Sequence, residues 1–367
     1  MKIGVDARPL CYPGTGIHRY TIELLKRMTA LGGDEWFLYS DRQYDKTELS
    51  GDNIHHRCGN YQLPKLSTLY AQLLFPHWAK KDQIDVFWSP RHNLPLALSS
   101  STPSVVTIHD LVWIHYGSTM TQFGRLLESI LMPRAIASSK IVVAVSEFTR
   151  CDIKQNFPYA ENKTQVVTGA SCLSPDTVTL DKTVSDQKNY FLFVSTLEPR
   201  KNLNRLLLSY KQYLDKTPEP LPLKIAGGSG WGGVSIESVI AQHGISAHVS
   251  LLGQVTDQQL AQLYKNAYAL LMPSLYEGFG LPIVEAMSQG VPVITSNLSA
   301  MKEVAGAGGI LVDPYSVEEM CDALSKITSD SEHYQQLAAA ALLQSQKYNW
   351  EKSAATMLNI LHQSTKL

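Results

Sequence analysis

The chain predicts an α/β protein of two successive domains, each a parallel sheet with helices on its faces. Three observations predict it. Short apolar strand patterns alternate with amphipathic helical ones from end to end, the pattern of parallel sheets covered by helices. A polar stretch without a period, residues 171–188, interrupts the alternation, which then begins afresh. At 367 residues the chain is also longer than one hydrophobic core usually supports.

In the first half, strands are expected at residues 3–6, 36–39, 86–88, 104–108 and 141–145, with helices at 17–31 and 123–137 between them. The second half offers strands at 190–194, 223–226, 249–252, 267–272, 293–295 and 310–312. The expected architecture is two Rossmann-like domains facing a central cleft, residues 1–180 and 181–345, with ligands beyond the carboxyl ends of the strands. A last helix carries Ala354, Met357, Leu358 and Leu361 at helical spacing. Periodicity does not say which domain it packs on.

Composition narrows the function. A net charge of −1 gives no general case for nucleic acid. The five cysteines, Cys11, Cys58, Cys151, Cys172 and Cys321, are scattered without metal-ligand spacing and fit a reducing compartment. No apolar run approaches a membrane span, and Met1-Lys2 leads straight into a strand pattern, so a cytoplasmic protein without a signal peptide is expected.

The most telling segment pairs Glu277 with Glu285 around Gly278-Phe279-Gly280-Leu281-Pro282. A strand pattern leads in and a helix pattern leads out. Pro282 suits a first helical turn, where a missing N–H costs nothing. The glycines allow a sharp turn and leave N–H groups bare beside the positive end of a helix. Two fixed carboxylates there can grip hydroxyls of a sugar and a ribose. The same residues would also make a surface helix with two solvated glutamates after a glycine turn.

Four further constellations fall at expected strand ends. Arg200 and Lys201 follow the strand at 190–194, where cations can neutralise a diphosphate, Arg as a fork and Lys as a point charge. Gly14-Thr15-Gly16 feeds the first helix and suits a phosphate or an acceptor hydroxyl. Gly227-Gly228-Ser229-Gly230 follows the strand at 223–226 and fits a tight turn under a nucleotide. His109 ends the strand at 104–108, within reach of a sugar hydroxyl, and Asp110 could orient it or bind an acceptor. Each also has a plain reading: a solvated loop, a flexible connection, a satisfied histidine.

The whole string SLYEGFGLPIVEAMSQGVP, from Ser274 to Pro292, resembles the double-glutamate signature of retaining GT-B glycosyltransferases, the family of sucrose-synthase-like enzymes and lipopolysaccharide mannosyltransferases. The resemblance implies that Glu277 contacts the donor sugar and Glu285 the ribose hydroxyls. It implies a catalytic set of His109, Arg200, Lys201 and Glu277. Nucleotide would be bound by Gly14, Thr15, Gly16, Gly227, Gly278, Phe279, Gly280, Leu281 and Glu285. It also implies that the last helix, residues 346–367, crosses back to the first domain. The family usually has a Gly-Arg pair early in the basic loop and a Lys later. Here Ser195 and Thr196 stand early and Lys201 keeps the late place, so Arg200 either replaces the missing arginine or faces water.

The chain has no Asp-x-Asp, the usual metal-diphosphate ligand, so no metal and no cofactor are expected. The expected function is transfer of a hexose, first mannose from GDP-mannose, to a lipid-linked glycan in O-antigen or other surface polysaccharide synthesis. Expected partners are the sugar-nucleotide donor, the lipid-linked acceptor and other glycosyltransferases, with no nucleic acid. Two other readings fit the same residues: a GT-B sugar-nucleotide 2-epimerase and a non-catalytic sugar-nucleotide-binding module. Finally, residues 61–81 carry Leu66, Leu69, Tyr70, Leu73, Leu74 and Trp78 at near-helical spacing, flanked by Lys65, Lys80 and Lys81. Peripheral contact with the inner membrane is expected there, unless the helix packs on its own sheet, and Pro76 is expected to break it late.

Overall fold

A computed structural model describes residues 1–60, 66–98, 102–173, 189–228 and 235–366. The chain divides into two compact units, Met1–Gly169 with Asn349–Leu367, and Ala170–Tyr348. The first division falls at Gly169, ahead of the 1–180 boundary expected; residues 174–188 of the expected linker lie outside the described residues.

The first unit holds a seven-stranded parallel sheet of β1 (Lys2–Asp6), β2 (Glu35–Ser40), β3 (Ile54–Cys58), β4 (Val86–Ser89), β5 (Ser104–Ile108), β6 (Ile141–Ala144) and β7 (Thr164–Val166), in the order β3-β2-β1-β4-β5-β6-β7. Its helices are α1 (Gly16–Ala30), α2 (Ser67–Asp82), α3 (Val112–His115), α4 (Gln122–Ser138) and α5 (Glu147–Asn156). The central strands are apolar on both faces because helices cover both. β3 and β7 were not expected from the sequence. Both are edge strands, β3 being Ile-His-His-Arg-Cys, and an edge strand needs no apolar run.

The second unit holds a six-stranded parallel sheet of β8 (Tyr190–Val194), β9 (Leu223–Ala226), β10 (Val249–Gly253), β11 (Ala267–Met272), β12 (Val293–Ser296) and β13 (Gly309–Val312), in the order β10-β9-β8-β11-β12-β13. Around it lie α6 (Leu203–Lys216), α7 (Ile236–Gln242), α8 (Asp257–Lys265), α9 (Leu281–Ser288), α10 (Ser299–Ala305), α11 (Val317–Ser329) and α12 (Ser331–Ser345). One core runs through Phe191, Phe193, Tyr210, Leu271 and Leu324. In each sheet the chain reverses its direction of winding beside the first strand, β1 or β8, which opens a crevice at the carboxyl ends of the central strands.

The last helix, α13 (Trp350–Ser364), belongs to the first unit and packs along α1. Trp350, Ala354, Met357 and Leu361 are its buried face. An ion pair, Arg27 Nε to Glu351 at 2.9 Å, and a hydrogen bond between His362 Nε2 and Asp34 at 2.8 Å fasten it.

Pro76 does not break α2, contrary to expectation; the helix runs through to Asp82. Pro76 gives no N–H to the carbonyl of Gln72, but Ala71, Phe75 and Ala79 bury one face against the sheet and hold both halves in line. The rest of the stripe divides. Tyr70 and Trp78 pack on the core, while Leu66, Leu69 and Leu73 are exposed. Tyr61 and Lys65 lie outside the described residues.

Gly227 joins β9 to the basic loop's support. Its φ is +151°, and a Cβ there would stand 1.7 Å from the carbonyl oxygen of Ser195. The two loops are also tied by Ser195 N–H to Ala226 O at 3.0 Å and Leu197 N–H to Gly228 O at 3.0 Å. Gly227→Ala is therefore expected to lose about 2 kcal/mol or more of stability in urea unfolding. Gly228→Ala, whose Cβ would meet side-chain atoms of Gln254, the nearest at 2.9 Å, rather than backbone, should lose less. Equal losses would show that the backbone approach is not what constrains Gly227.

Candidate active site

In the second unit, the loops after β8 and β11, neighbouring strands beside the winding reversal, meet at one carboxylate. Glu277 Oε1 accepts from Lys201 Nζ at 2.6 Å, and Oε2 accepts from Arg200 Nη1 at 2.9 Å. All three side chains are buried to about nine-tenths, at 10–12% exposure. Arg200 also gives Nη1 to the carbonyl of Tyr276 at 2.5 Å and Nη2 to Glu198 at 2.5 Å. So Arg200 does not face water. Its fork is spent on the protein, clamping Glu198 to Glu277, while Lys201 meets Glu277 as a point charge.

The backbone is bent to make this meeting. Asn202 adopts φ +61°, which ends the turn at Pro199–Lys201 and starts α6. Its carboxamide donates to Pro273 O at 3.1 Å and to Pro314 O at 2.6 Å, tying the basic loop to the end of β11. Leu275 N–H to Arg200 O at 2.8 Å completes the tie. On the other side Ser299, at φ +50°, accepts the Glu277 N–H on its hydroxyl at 3.0 Å. Sequence reading missed Glu198, Asn202 and Ser299. An Asn just before a helix is a tolerable left-handed residue, and that was the available signal.

Burial by itself would raise the pKa of Glu277. Arg200 and Lys201 outweigh it and bring the value down to about 2. At neutral pH Glu277 is a carboxylate that only accepts hydrogen bonds.

Beyond Glu277 the chain turns through Gly278 and Phe279 to Gly280, which caps α9 at φ +101°, with Leu281 and Pro282 in the first turn. Phe279 is buried edge-on against Tyr348, ring centres 5.4 Å apart, so it can face a ligand only through its backbone. Glu285 lies one turn into α9 and is buried; Tyr264 of α8 donates to its Oε2 at 2.9 Å. Tyr264 is a further residue that sequence reading missed, since nothing in helix spacing pairs α8 with α9. Gly227 sits under the basic loop as described above; Ser229 and Gly230 lie outside the described residues.

The first unit brings a different set to the ends of β1, β4 and β5. Thr15 caps α1, its hydroxyl accepting His18 N–H at 3.2 Å, with Gly14 at φ +82° before it and Gly16 as the first helical residue. Asp6 and Arg8 form a buried pair at 2.5 Å, which makes them structural. His109 gives Nε2–H to Pro90 O at 2.8 Å, and its ring meets Tyr20 edge-on at 5.1 Å. Burial first, and His92 next to it, lower its pKa to about 4, so it is neutral at pH 7 with its lone pair on Nδ1. Asp110 does not orient this imidazole. It accepts from Val112 N–H at 3.2 Å and starts α3.

The depressed pKa of Glu277 has a consequence for stability. A carboxylate whose folded value lies below its ordinary 4.5 stabilises the fold above that pH and loses this as pH falls toward about 2. The loss is on the order of 3 kcal/mol. Glu277→Gln should flatten this part of the acid-unfolding curve of the second unit. A mutant curve parallel to wild type between pH 4.5 and 2 would remove the ion-pair account.

Two family profiles cover the chain, Glycosyltransferase Family 4 over residues 14–169 and Glycosyl transferases group 1 over residues 179–344. The O-antigen chain mannosyltransferase B of Escherichia coli is 30% identical over 388 aligned residues, covering 98% of this chain and 99% of that one. The O-antigen chain mannosyltransferase RfbU of Salmonella typhimurium is 26% identical over 86% of this chain and 91% of its own. Among solved structures, sucrose-phosphate synthase of Thermosynechococcus elongatus superposes with a TM-score of 0.78 at 19% identity, covering 99% of this chain and 98% of that one. HepE of Anabaena, in complex with UDP and glucose, does so at 0.74 and 20%, covering 99% of this chain and all of that one. The two parallel-sheet units and the near-complete match at 30% identity place this chain in the group 1 glycosyltransferases, with the GT-B fold.

Proposed function

We propose that the chain transfers mannose from GDP-mannose, with retention at the anomeric carbon and without a metal, to a lipid-linked glycan in O-antigen or related polysaccharide synthesis. The observation that carries the transfer chemistry is Glu277 held between Lys201 and Arg200. The choice of mannose is supported by the names of the Escherichia coli and Salmonella relatives.

Lys201 has three N–H donors and spends one on Glu277, so it can also meet the leaving diphosphate. Arg200 acts through Glu277, which it orients. Glu277, pinned as an anion, accepts from hydroxyls of the donor sugar. A carboxylate stabilised by two cations is a weak base and a weak nucleophile, which favours front-face departure. The donor C1–O bond breaks with its electrons to the diphosphate; the acceptor oxygen attacks C1 on the same face, and its proton passes to the departing phosphate oxygen. Glu285, oriented by Tyr264, receives the ribose hydroxyls. Neutral His109 offers Nδ1 to a sugar hydroxyl.

Charge stabilisation by Lys201 in place of a metal sets the first test. Turnover of GDP-mannose with a lipid-linked acceptor should survive excess EDTA, and Lys201→Ala should lower it about 100- to 1,000-fold. Activity lost to chelator and restored by Mn²⁺ would refute the scheme. Product formed from UDP-N-acetylglucosamine without acceptor would indicate an epimerase, and binding without product a non-catalytic module.

We also place the protein peripherally at the cytoplasmic face of the inner membrane. No described helix is long and apolar enough to cross a membrane. Leu66, Leu69 and Leu73 of the α2 region, Leu96, and Phe123, Leu126 and Ile130 of α4 are exposed, Phe123 by 70%. Gln72 bonds the Leu94–Leu96 backbone and His92 faces Glu128, so α2 and α4 flank one loop. Both helices expose cations, Lys80, Lys81, Arg125 and Arg134, whereas Asp82 is buried and Glu128 is half-buried. An apolar stripe with cations binds anionic lipid. The wild type should sediment with phosphatidylglycerol vesicles at low salt. Leu73→Glu/Phe123→Glu should stay in the supernatant with turnover of a soluble acceptor intact. Unchanged sedimentation of the double variant would exclude this face.

A further inference from the structure

His109 is held in place by a residue that neither the motif nor the reaction scheme uses. Its backbone N–H donates to Nε2 of His92 at 3.1 Å, across from the end of β5 to the loop after β4. Nε2 must carry a lone pair to accept, so the proton of neutral His92 is on Nδ1. Nδ1 faces Oε2 of Glu128, on α4, at 3.5 Å. The His92 loop is itself fastened: the one Ser89 hydroxyl proton is shared between Asn93 O at 2.7 Å and Arg91 O at 3.0 Å, and Asn93 accepts from Arg8 at 3.3 Å. The two imidazoles lie 5.6 Å apart.

We propose that His92, backed by Glu128, is a positioning residue for His109 and sets an acid limit on turnover. The proposal rests on the reading in which His109 receives a sugar hydroxyl. When a solvent proton takes the Nε2 lone pair, His92 becomes a donor at both nitrogens and can no longer accept the His109 amide. Two N–H groups then face each other where one bond stood, and the turn that carries His109 must shift. Deprotonation restores the acceptor.

The groups around His92 shift where this change falls. Burial opposes a charged His92, but Glu128 on α4 and Asp110 after β5 outweigh it and raise the pKa above the ordinary 6.5. Arg91 on the same loop opposes them, and so does the His109 amide, which needs the lone pair; the His109 ring is uncharged in this range, and Arg8, close by, is neutralised by Asp6. His109 itself titrates at about 4 and would give a limb in a different range. Folded pKa above the ordinary value means that the acceptor form, and with it turnover, is lost as pH falls through a midpoint above 6.5.

The test uses the full chain and two readouts. The first is the chemical shift of the His109 amide against pH, beside that of the His92 ring. The second is the pH profile of GDP-mannose turnover. In wild type the amide should follow the His92 ring through one midpoint, and turnover should fall with it. Glu128→Gln should move that midpoint to lower pH by about 1 unit. His92→Gln keeps a carbonyl acceptor for the amide at every pH, so it should retain turnover and lose the limb. His92→Ala should lose turnover at all pH values. An acid limb that persists unmoved in His92→Gln would overturn the proposal, as would a His109 amide that ignores the His92 titration. His109→Ala with wild-type turnover would overturn it too, by removing the role being positioned. The amide titration distinguishes that failure from a failure of the geometry.

Discussion

A carboxylate buried to nine-tenths cannot keep its charge unless the fold supplies cations to meet it. The penalty for burying such an ion is several kcal/mol even after relaxation. Glu277 meets it with Lys201 on one oxygen and Arg200 on the other, and Arg200 in turn needs Glu198. That network requires the loop after β8 to lie against the loop after β11. The requirement explains the unusual backbone on both sides. Asn202 and Ser299 each take a positive φ without being glycine, and each repays it with bonds that fasten the carboxylate's surroundings. Gly280 then bends the chain away into α9, which carries Glu285 to Tyr264.

The fold was legible wherever a strand is buried on both faces. β8 and β11 coincide with their expected ranges because each is a continuous apolar run, and so do β5 and β9, where Ser104, Thr107 and Lys224 interrupt the apolar residues only singly. β3 was invisible because an edge strand can be built from His55, His56 and Arg57. Pro76 misled for a related reason. A local rule about one missing N–H gave way to the burial of Ala71, Phe75 and Ala79, each fully or almost fully enclosed.

The site was legible to the same depth. Glu277 and Glu285 stand in a string specific enough to be read, Lys201 stands in a separate loop after β8, and the structure brings Glu277 and Lys201 together. What the string does not contain is the support. Glu198, Asn202, Tyr264 and Ser299 act through contacts 20 or more positions away in most cases, as with Ser299 and Glu277 at a separation of 22. Arg200 shows the limit well. Its sequence position suited a diphosphate, yet its fork is filled by Glu198, Glu277 and the Tyr276 carbonyl. Asp110 was read as a partner of its neighbour His109, but the short side chain turns to the start of α3 and a proline carbonyl holds the ring instead.

Glu277 in the second unit and His109 in the first are held in opposite charge states. The second unit fixes an ion: Glu277 at about 2 stays charged throughout the physiological range. The first unit fixes a neutral group: His109 at about 4 stays uncharged over the same range. Each is tuned away from pH 7, so neither changes state there, and the hydrogen-bonding character of both is constant. His92 is tuned the other way, because a carboxylate rather than a carbonyl faces its Nδ1. It therefore changes state at higher pH than either of the others. Its effect must then be transmitted by geometry, through the one amide it holds, rather than by any direct part in the chemistry.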